Sequence, residues 1–373
     1  MDTPICEAAY VSALLEIPDL GLESCRRILE RFPSPHEAWH TLILDGQLSV
    51  LEDINPKLIA NLSRNQLRGL PETIQASMDD CSIKGLTYLD DAYPQQLLSI
   101  YKPPLVLFYR GDISLASQAR MIAMVGARKS STYGRNVASY LGKTLAQAGV
   151  VIVSGGARGI DSFSHQGALE GDGKTIVVLG SGLDVIYPRE NGRLFRQVVE
   201  SGGLLLSEYP PHTPPSAHHF PMRNRIIEGL VRGVIVVEAK ASSGSLITAD
   251  MAINDGRDVF SVPGNILDNQ SAGNHWLIRQ GAIPLTGPQD LLDYYAWTGE
   301  AKSGRQSSPM VCFTLDENAI LTCLPTDRPC PLDDILVATG LPMPQVMTAL
   351  LSLEMHDRVE KISGQGYLRK WPS

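Results

Sequence analysis

Over residues 87–298, short apolar runs alternate with helical patterns of apolar and polar positions. This alternation predicts a parallel sheet covered by helices. Strands are expected at Leu105–Tyr109, Met121–Val125, Val150–Ser154, Thr175–Leu179, Leu204–Ser207, Val234–Glu238, Val259–Val262 and Ile283–Thr286. Unbroken β-branched runs such as Val151–Ser154 suit strands buried on both faces. Helices are expected at Gly134–Ala148, Ser162–Leu169, Leu194–Glu200 and Arg225–Val231. The fold class is therefore α/β, a doubly wound, extended Rossmann-like parallel sheet.

Two smaller regions flank it. Residues 1–80 read as short helices at Ala8–Leu15, Leu22–Phe32, Pro35–Leu44 and about Pro56–Leu67. The Pro18 and Gly21 punctuation between the first two resembles a helix-hairpin-helix turn, within a helical domain of SAM or helix-hairpin-helix type. Residues 81–298 form the Rossmann-like domain. Residues 299–314 are polar and aperiodic and read as a linker. Residues 315–373 place helices at Glu317–Leu324, Leu332–Thr339 and Pro344–His356 before strands Val359–Ile362 and Gly366–Arg369. Three helices and a hairpin spell a winged helix.

Composition narrows the partners. A net charge of −8 argues against a protein coated in nucleic acid, so any DNA-binding reading must rest on local clustering of cations. None of the six cysteines forms a C-x-x-C pair, which disfavours zinc and a disulfide framework. No signal peptide or membrane-spanning apolar run is visible, so a cytoplasmic protein without a membrane partner is expected.

In open α/β sheets, ligands bind beyond the carboxyl ends of the strands. Glycines, small hydroxyls and cations collect at those ends here. The segments are Gly126–Gly134, Gly155–Asp161, Gly180–Asp184, Tyr187–Asn191, Glu208–Pro211, Phe220–Arg225, Ala241–Thr248 and Pro263–Asn265. Glycines let backbone amides approach a ligand, and helix starts favour anions. The cations are Arg128, Lys129, Arg158, Arg189, Arg223 and Arg225. A line of cations interleaved with Tyr133, Tyr187, Tyr209 and Phe220 fits a single nucleic-acid strand better than one nucleotide. The candidate nucleic-acid site is Gly126, Arg128, Lys129, Ser130, Gly155, Gly156, Arg158, Arg189, Asn191, Phe220, Arg223, Asn224, Arg225 and Gly244.

Residues 126–134 lack both G-x-G-x-x-G spacing and a Walker ending, which disfavours a dinucleotide and ATP hydrolysis. His212, His218 and His219 match no metal-ligand spacing, and Asp161 and Asp184 read as caps or arginine partners. No catalytic residue, metal or cofactor is expected.

The boxes Val125–Arg128, Ser154–Asp161, Tyr187–Asn191, Ser207–Pro210, Phe220–Ile227, Glu238–Ala249 and Val262–Asn265 closely resemble the DNA processing protein A family (DprA, also called Smf). The resemblance implies a homodimer that binds incoming single-stranded DNA during natural transformation and loads the RecA recombinase onto it. It also implies DNA contact by Arg128 and Arg189, a pocket lined by Phe220, Arg223 and Asn224, and dimerisation near Asn274–Ala282. The alternative is an enzyme on nucleoside monophosphates, of the lysine-decarboxylase-like phosphoribohydrolase type. Those enzymes carry an acidic residue in a Pro-Gly-Gly-x-Gly-Thr-x-x-Glu box, and Ala241–Thr248 offers none. A third reading is a scaffold whose rim binds a nucleotide signal. The final helical pattern, Pro344–His356, contains no lysine or arginine, so weak or no duplex binding is expected of the winged helix.

Overall fold

A computed structural model describes residues 4–48, 61–62, 67–297, 314–325, 328–356 and 358–370. Most of the expected helix at 56–67, Cys312 and the expected linker up to residue 313 lie outside the described residues.

The central sheet has nine strands: β1 (Lys84–Thr87), β2 (Val106–Gly111), β3 (Met121–Gly126), β4 (Val151–Ser154), β5 (Thr175–Leu179), β6 (Leu204–Ser207), β7 (Gly233–Glu238), β8 (Asp258–Ser261) and β9 (Ile283–Pro284). Their spatial order is β1-β2-β6-β5-β4-β3-β7-β8-β9. All eight expected strands are present. From β6 to β9 the pairing is parallel, as read from the sequence. The far edge differs, because β2 runs antiparallel to β6 and β1 antiparallel to β2. Periodicity reports burial but not direction, and the four residues of β1 include a glycine, so neither feature shows in the pattern.

Between the strands lie α5 (Thr132–Gln147), α6 (Ile160–Glu170), α7 (Gly192–Glu200), α8 (His219–Gly229), α9 (Ser245–Asn254), α10 (Ala272–Arg279) and α11 (Pro288–Tyr294), following four helices bounded among the described N-terminal residues. Those four are α1 (Glu7–Leu15), α2 (Leu22–Leu29), α3 (Pro35–Trp39), which continues into a π-helical turn at His40–Leu44, and α4 (Leu70–Asp80). The apolar side chains of α1 share one core with Val177, Leu179, Phe195 and Leu205, so this bundle covers part of one face of the sheet.

The chain fills the sheet outward from β3. It passes through β4, β5 and β6 on one side, then returns to place β7 and β8 on the other. The reversal leaves a crevice beyond the ends of β3 and β7, where neighbouring connections diverge.

Helices α5 and α6 meet through small residues. A Cβ added at Gly142 would stand 2.5 Å from the Ser164 carbonyl oxygen, and one at Gly167 would collide with the Ser139 carbonyl. Helix α8 is fastened by a buried ion pair between Arg225 and Glu208. At its end, Glu228 has no exposed surface. Burial, then the neighbouring Asp255, pushes its carboxyl up to about 8.

The C-terminal helices are α12 (Leu315–Cys323), α13 (Leu332–Thr339) and α14 (Met343–Met355), followed by an antiparallel hairpin of β10 (Val359–Ile362) and β11 (Gly366–Arg369). Ile320, Ile335, Val346, Leu353 and Tyr367 form their shared core, as a winged helix requires. Among the described residues no single helix is long and apolar enough to cross a membrane.

Two outcomes are expected. Gly167→Ala should destabilise the protein by about 1–3 kcal/mol in urea unfolding, because overpacking against a fixed carbonyl outweighs the ~1 kcal/mol helix-propensity gain. Glu228 differs in its pH dependence. Its carboxyl ionises near 4.5 in the unfolded chain but holds its proton to about 8 when folded. The folded state's preference for the protonated acid is therefore complete below the lower value and is lost as pH rises through the upper one. Glu228→Gln carries no such proton, so its Tm should gain on wild type steadily between pH 5 and pH 8 in calorimetry.

Candidate nucleic-acid interface

An open cleft of about 610 Å³ occupies the crevice beyond β3 and β7. Three walls define it. The β3–α5 turn supplies Gly126 and Arg128, one face of α8 supplies Phe220, Arg223, Asn224 and Ile227, and the start of α9 supplies Ser243, Gly244, Ser245 and Thr248. A smaller recess of about 170 Å³ adjoins it, lined by Arg128, Lys129, Arg158, Tyr187 and Phe220 among others.

At the junction, the Arg128 guanidinium carbon lies 5.1 Å from the Phe220 ring centroid. The Phe220 ring lies 5.6 Å from that of Tyr187, which is 43% exposed. A cation and two rings thus share one open surface, the combination that accepts a phosphate and a base side by side. Arg128, Lys129 and Arg189 are exposed, and no described carboxylate pairs with any of them.

The other expected cations are placed differently. Arg158 is exposed but forms a two-point pair with Glu190, whose second bond is 3.0 Å. That hydrogen bond holds the Glu190 carboxyl below its usual range. A pair this exposed contributes little to stability, so a phosphate can displace the carboxylate at small cost. Arg223 is 5% exposed and lines the floor of both hollows. Its Nη1 donates to the Gly155 carbonyl at 2.6 Å and to the Val178 carbonyl, and its Nε donates to Asn224 Oδ1 at 3.2 Å. Burial pulls it down to about 10, against an opposing pull from Asp161, so it stays charged at neutral pH.

Arg225 does not reach the rim. It is buried in its pair with Glu208, which corrects the expectation that it faces a ligand. The reason is helical phase. Residues 220–225 belong to α8 and not to a strand-end loop. Positions 220, 223, 224 and 227 share one helical face, and 225 turns away from it. Asn191 also points inward, where its Nδ2 donates to the Gly156 carbonyl and to Ser162 Oγ, both at 2.8 Å.

The glycines have packing roles as well, with Gly126 and Gly155 also lining the hollows. Gly126 packs against Ile160 and the Glu238 carbonyl, Gly155 against the Arg223 guanidinium, and Gly156 against Val177 and Phe195. At these three, the missing side chain makes room for the protein's own atoms. Gly244 alone of the four candidate glycines is open, with nothing within 4 Å of an added Cβ. It precedes α9 beside the cleft, where the Ser245, Leu246 and Ile247 N–H groups bond to Ser243 Oγ, the Ser243 carbonyl and the Gly244 carbonyl.

The start of α5 is already occupied. Glu238 accepts the Ser131 N–H at 2.8 Å and the Ser131 hydroxyl, and Ser131 Oγ in turn accepts the Gly134 N–H at 3.0 Å. Ser130 precedes this cap and is half-buried. Sequence reading places Glu238 in a box but gives it no role, because its partner is 107 residues away. Among the aromatics, Tyr187 and Phe220 gather at the cleft. Tyr209 stacks on His219 with centroids 4.0 Å apart, and Tyr133 lines a separate recess and donates to the Pro263 carbonyl.

Asp161 is the acidic residue among the described cleft lining. It accepts the Ala157 N–H at 3.2 Å, and burial raises its carboxyl while Arg223 opposes the rise.

Comparison with known proteins places the chain in a family. Residues 84–296 match the family model for DNA recombination-mediator protein A, and residues 313–365 match the DprA winged helix domain. The chain is 42% identical to protein Smf of Escherichia coli over 287 residues, covering 74% of this chain and 75% of that one. It is 50% identical to DNA processing protein DprA of Streptococcus pneumoniae over 204 residues, covering 55% and 71%. The crystal structure of the Streptococcus pneumoniae protein superposes with a TM-score of 0.65 at 38% identity, covering 79% of this chain and 98% of that one. A structure of DNA processing protein A from Helicobacter pylori, described for its single-stranded DNA binding mode, gives a TM-score of 0.53 at 30% identity, covering 57% and 95%. With its Rossmann-like core and its winged helix both matched, the chain belongs to the DNA processing protein A (DprA/Smf) family of DNA recombination mediators.

Proposed function

We propose that this protein binds single-stranded DNA across the cleft, without sequence preference and without covalent chemistry, and delivers it to the RecA recombinase. The observation that carries the reading is the Arg128–Phe220–Tyr187 group at the open cleft, with Gly244 on the facing wall. Arg128, Lys129 and Arg189 attract the backbone, and Arg158 joins them by exchanging Glu190 for phosphate. Phe220 and Tyr187 stack bases, which tolerates any sequence. Arg223 and Asn224 form the floor against which the strand lies. The single-stranded DNA binding described for the Helicobacter pylori relative supports the assignment.

We also propose that the protein acts in the cytoplasm as a homodimer, joined near Asn274–Ala282. In support, Ile266 and Leu267 are 85% and 89% exposed, and Trp276 on α10 is 39% exposed. Asn274 itself is buried, bonded to the Ala239 N–H and the Val236 carbonyl, and so anchors this surface from within. The winged helix is assigned no duplex-reading role. Helix α14 carries no cation, and Arg369 donates to the Leu321 carbonyl at 2.7 Å.

Anisotropy titrations of labelled oligo-dT against an equal-length duplex, from about 50 to 200 mM salt, test the reading. The single strand should bind more tightly. Arg128→Ala should weaken binding about tenfold and reduce the steepness of log K against log salt by about 0.7–1. Phe220→Ala should cost about 1–3 kcal/mol with an unchanged salt slope, because stacking releases no counterions. Wild-type binding by both variants would reject the site. Release of adenine from AMP would establish the phosphoribohydrolase reading instead.

A further inference from the structure

Cys81, Asp184 and His212 come from three distant stretches of chain and meet at one point. Cys81 ends α4, Asp184 lies in the loop after β5, and His212 lies in the proline-rich loop after β6. One donor atom from each, a thiol sulfur, a carboxylate oxygen and an imidazole nitrogen, lies within 4.8 Å of the other two. Asp184 already orients the histidine. Its Oδ1 accepts the His212 N–H at 2.8 Å, and its Oδ2 stands 2.8 Å from His212 Nδ1.

The backbone holds this arrangement. His212 has φ +67°, a left-handed conformation that residues other than glycine rarely adopt. Pro210 and Pro211 precede it and Pro214 and Pro215 follow, which restricts the loop. A Cβ at Gly182 would stand 2.7 Å from the Pro210 carbonyl oxygen and 2.8 Å from Asp184 Oδ1, so the two loops are in close contact. Arg110 donates to the Cys81 carbonyl and fixes the end of α4.

We infer that these three side chains form a binding site for a divalent cation of the zinc class, with solvent as the fourth ligand. Thiolate, imidazole and carboxylate together select a borderline-soft ion over magnesium or calcium. Tetrahedral ligands about 2.0–2.3 Å from zinc stand roughly 3.3–3.8 Å apart, so side-chain rotations of about 1 Å complete the set. On binding, the Cys81 thiol gives its proton to water as sulfur bonds to the metal. Cysteine spacing reads against zinc because only the fold brings the donors together. The ion would tie α4 to the loops that lead to Tyr187 and Phe220. The inference does not depend on what the cleft binds.

Cobalt(II) titrated into the full-length protein provides the test. One equivalent should produce a thiolate-to-cobalt charge-transfer band that zinc abolishes by displacement, and zinc should raise the Tm. Cys81→Ser should remove the band. His212→Ala and Asp184→Asn should each weaken cobalt binding about tenfold or more, with far-UV circular dichroism unchanged. Absence of the band from wild type would overturn the inference whatever the variants do, as would an undiminished band in Cys81→Ser.

Discussion

The buried guanidinium of Arg223 is the constraint on which the site depends. It sits against Gly155 at the end of β4 and bonds to Val178 within β5, so it holds α8 over the ends of two strands. A buried cation is tolerated only when its donors are satisfied and a counter-charge is near. Here two carbonyls, Asn224 and the field of Asp161 meet those conditions. With α8 held in this way, Phe220 is set beside Arg128 and Tyr187. The open face therefore consists of rings and a cation fixed from below by an almost wholly buried guanidinium.

This arrangement separates two kinds of arginine within one short segment. Arg223 and Arg225 both face inward, but toward different partners, backbone carbonyls for one and the Glu208 carboxylate for the other. Arg128 and Arg189 stay in water, where their charge is available to a polyanion. The acidic balance of the chain is compatible with this, because attraction over a Debye length of about 8–10 Å depends on the local charges.

Much of the architecture was legible because strand burial writes itself as apolar runs. Val151–Ser154 and Thr175–Leu179 are buried along their whole length, and their positions follow from the sequence almost to the residue. The winged helix was equally legible from its helix periods and its hairpin. The site was less so. Phe220 to Arg225 looked like a rim loop because Pro221 interrupts the pattern, yet proline is tolerated in the first turn of a helix, and the phase of α8 then decides which side chains reach the cleft. Glycines at strand ends signal close approach without saying of what. Three of the four approach the protein itself. Glu238 was invisible because a carboxylate bonding across 107 residues leaves no local trace.

That carboxylate has a consequence for how this sheet can evolve. Rossmann-like folds commonly seat a pyrophosphate on the first helix after the central strand. In this chain the Glu238 side chain fills the seat, bonded to Ser131 and packed against Gly134. A mononucleotide approaching that turn meets repulsion where its relatives elsewhere meet amides. Recruitment of a soluble cofactor would first require loss of Glu238, and the serine cap would lose its partner with it. The seat that this scaffold commonly offers to a pyrophosphate is thereby taken by one of the protein's own side chains.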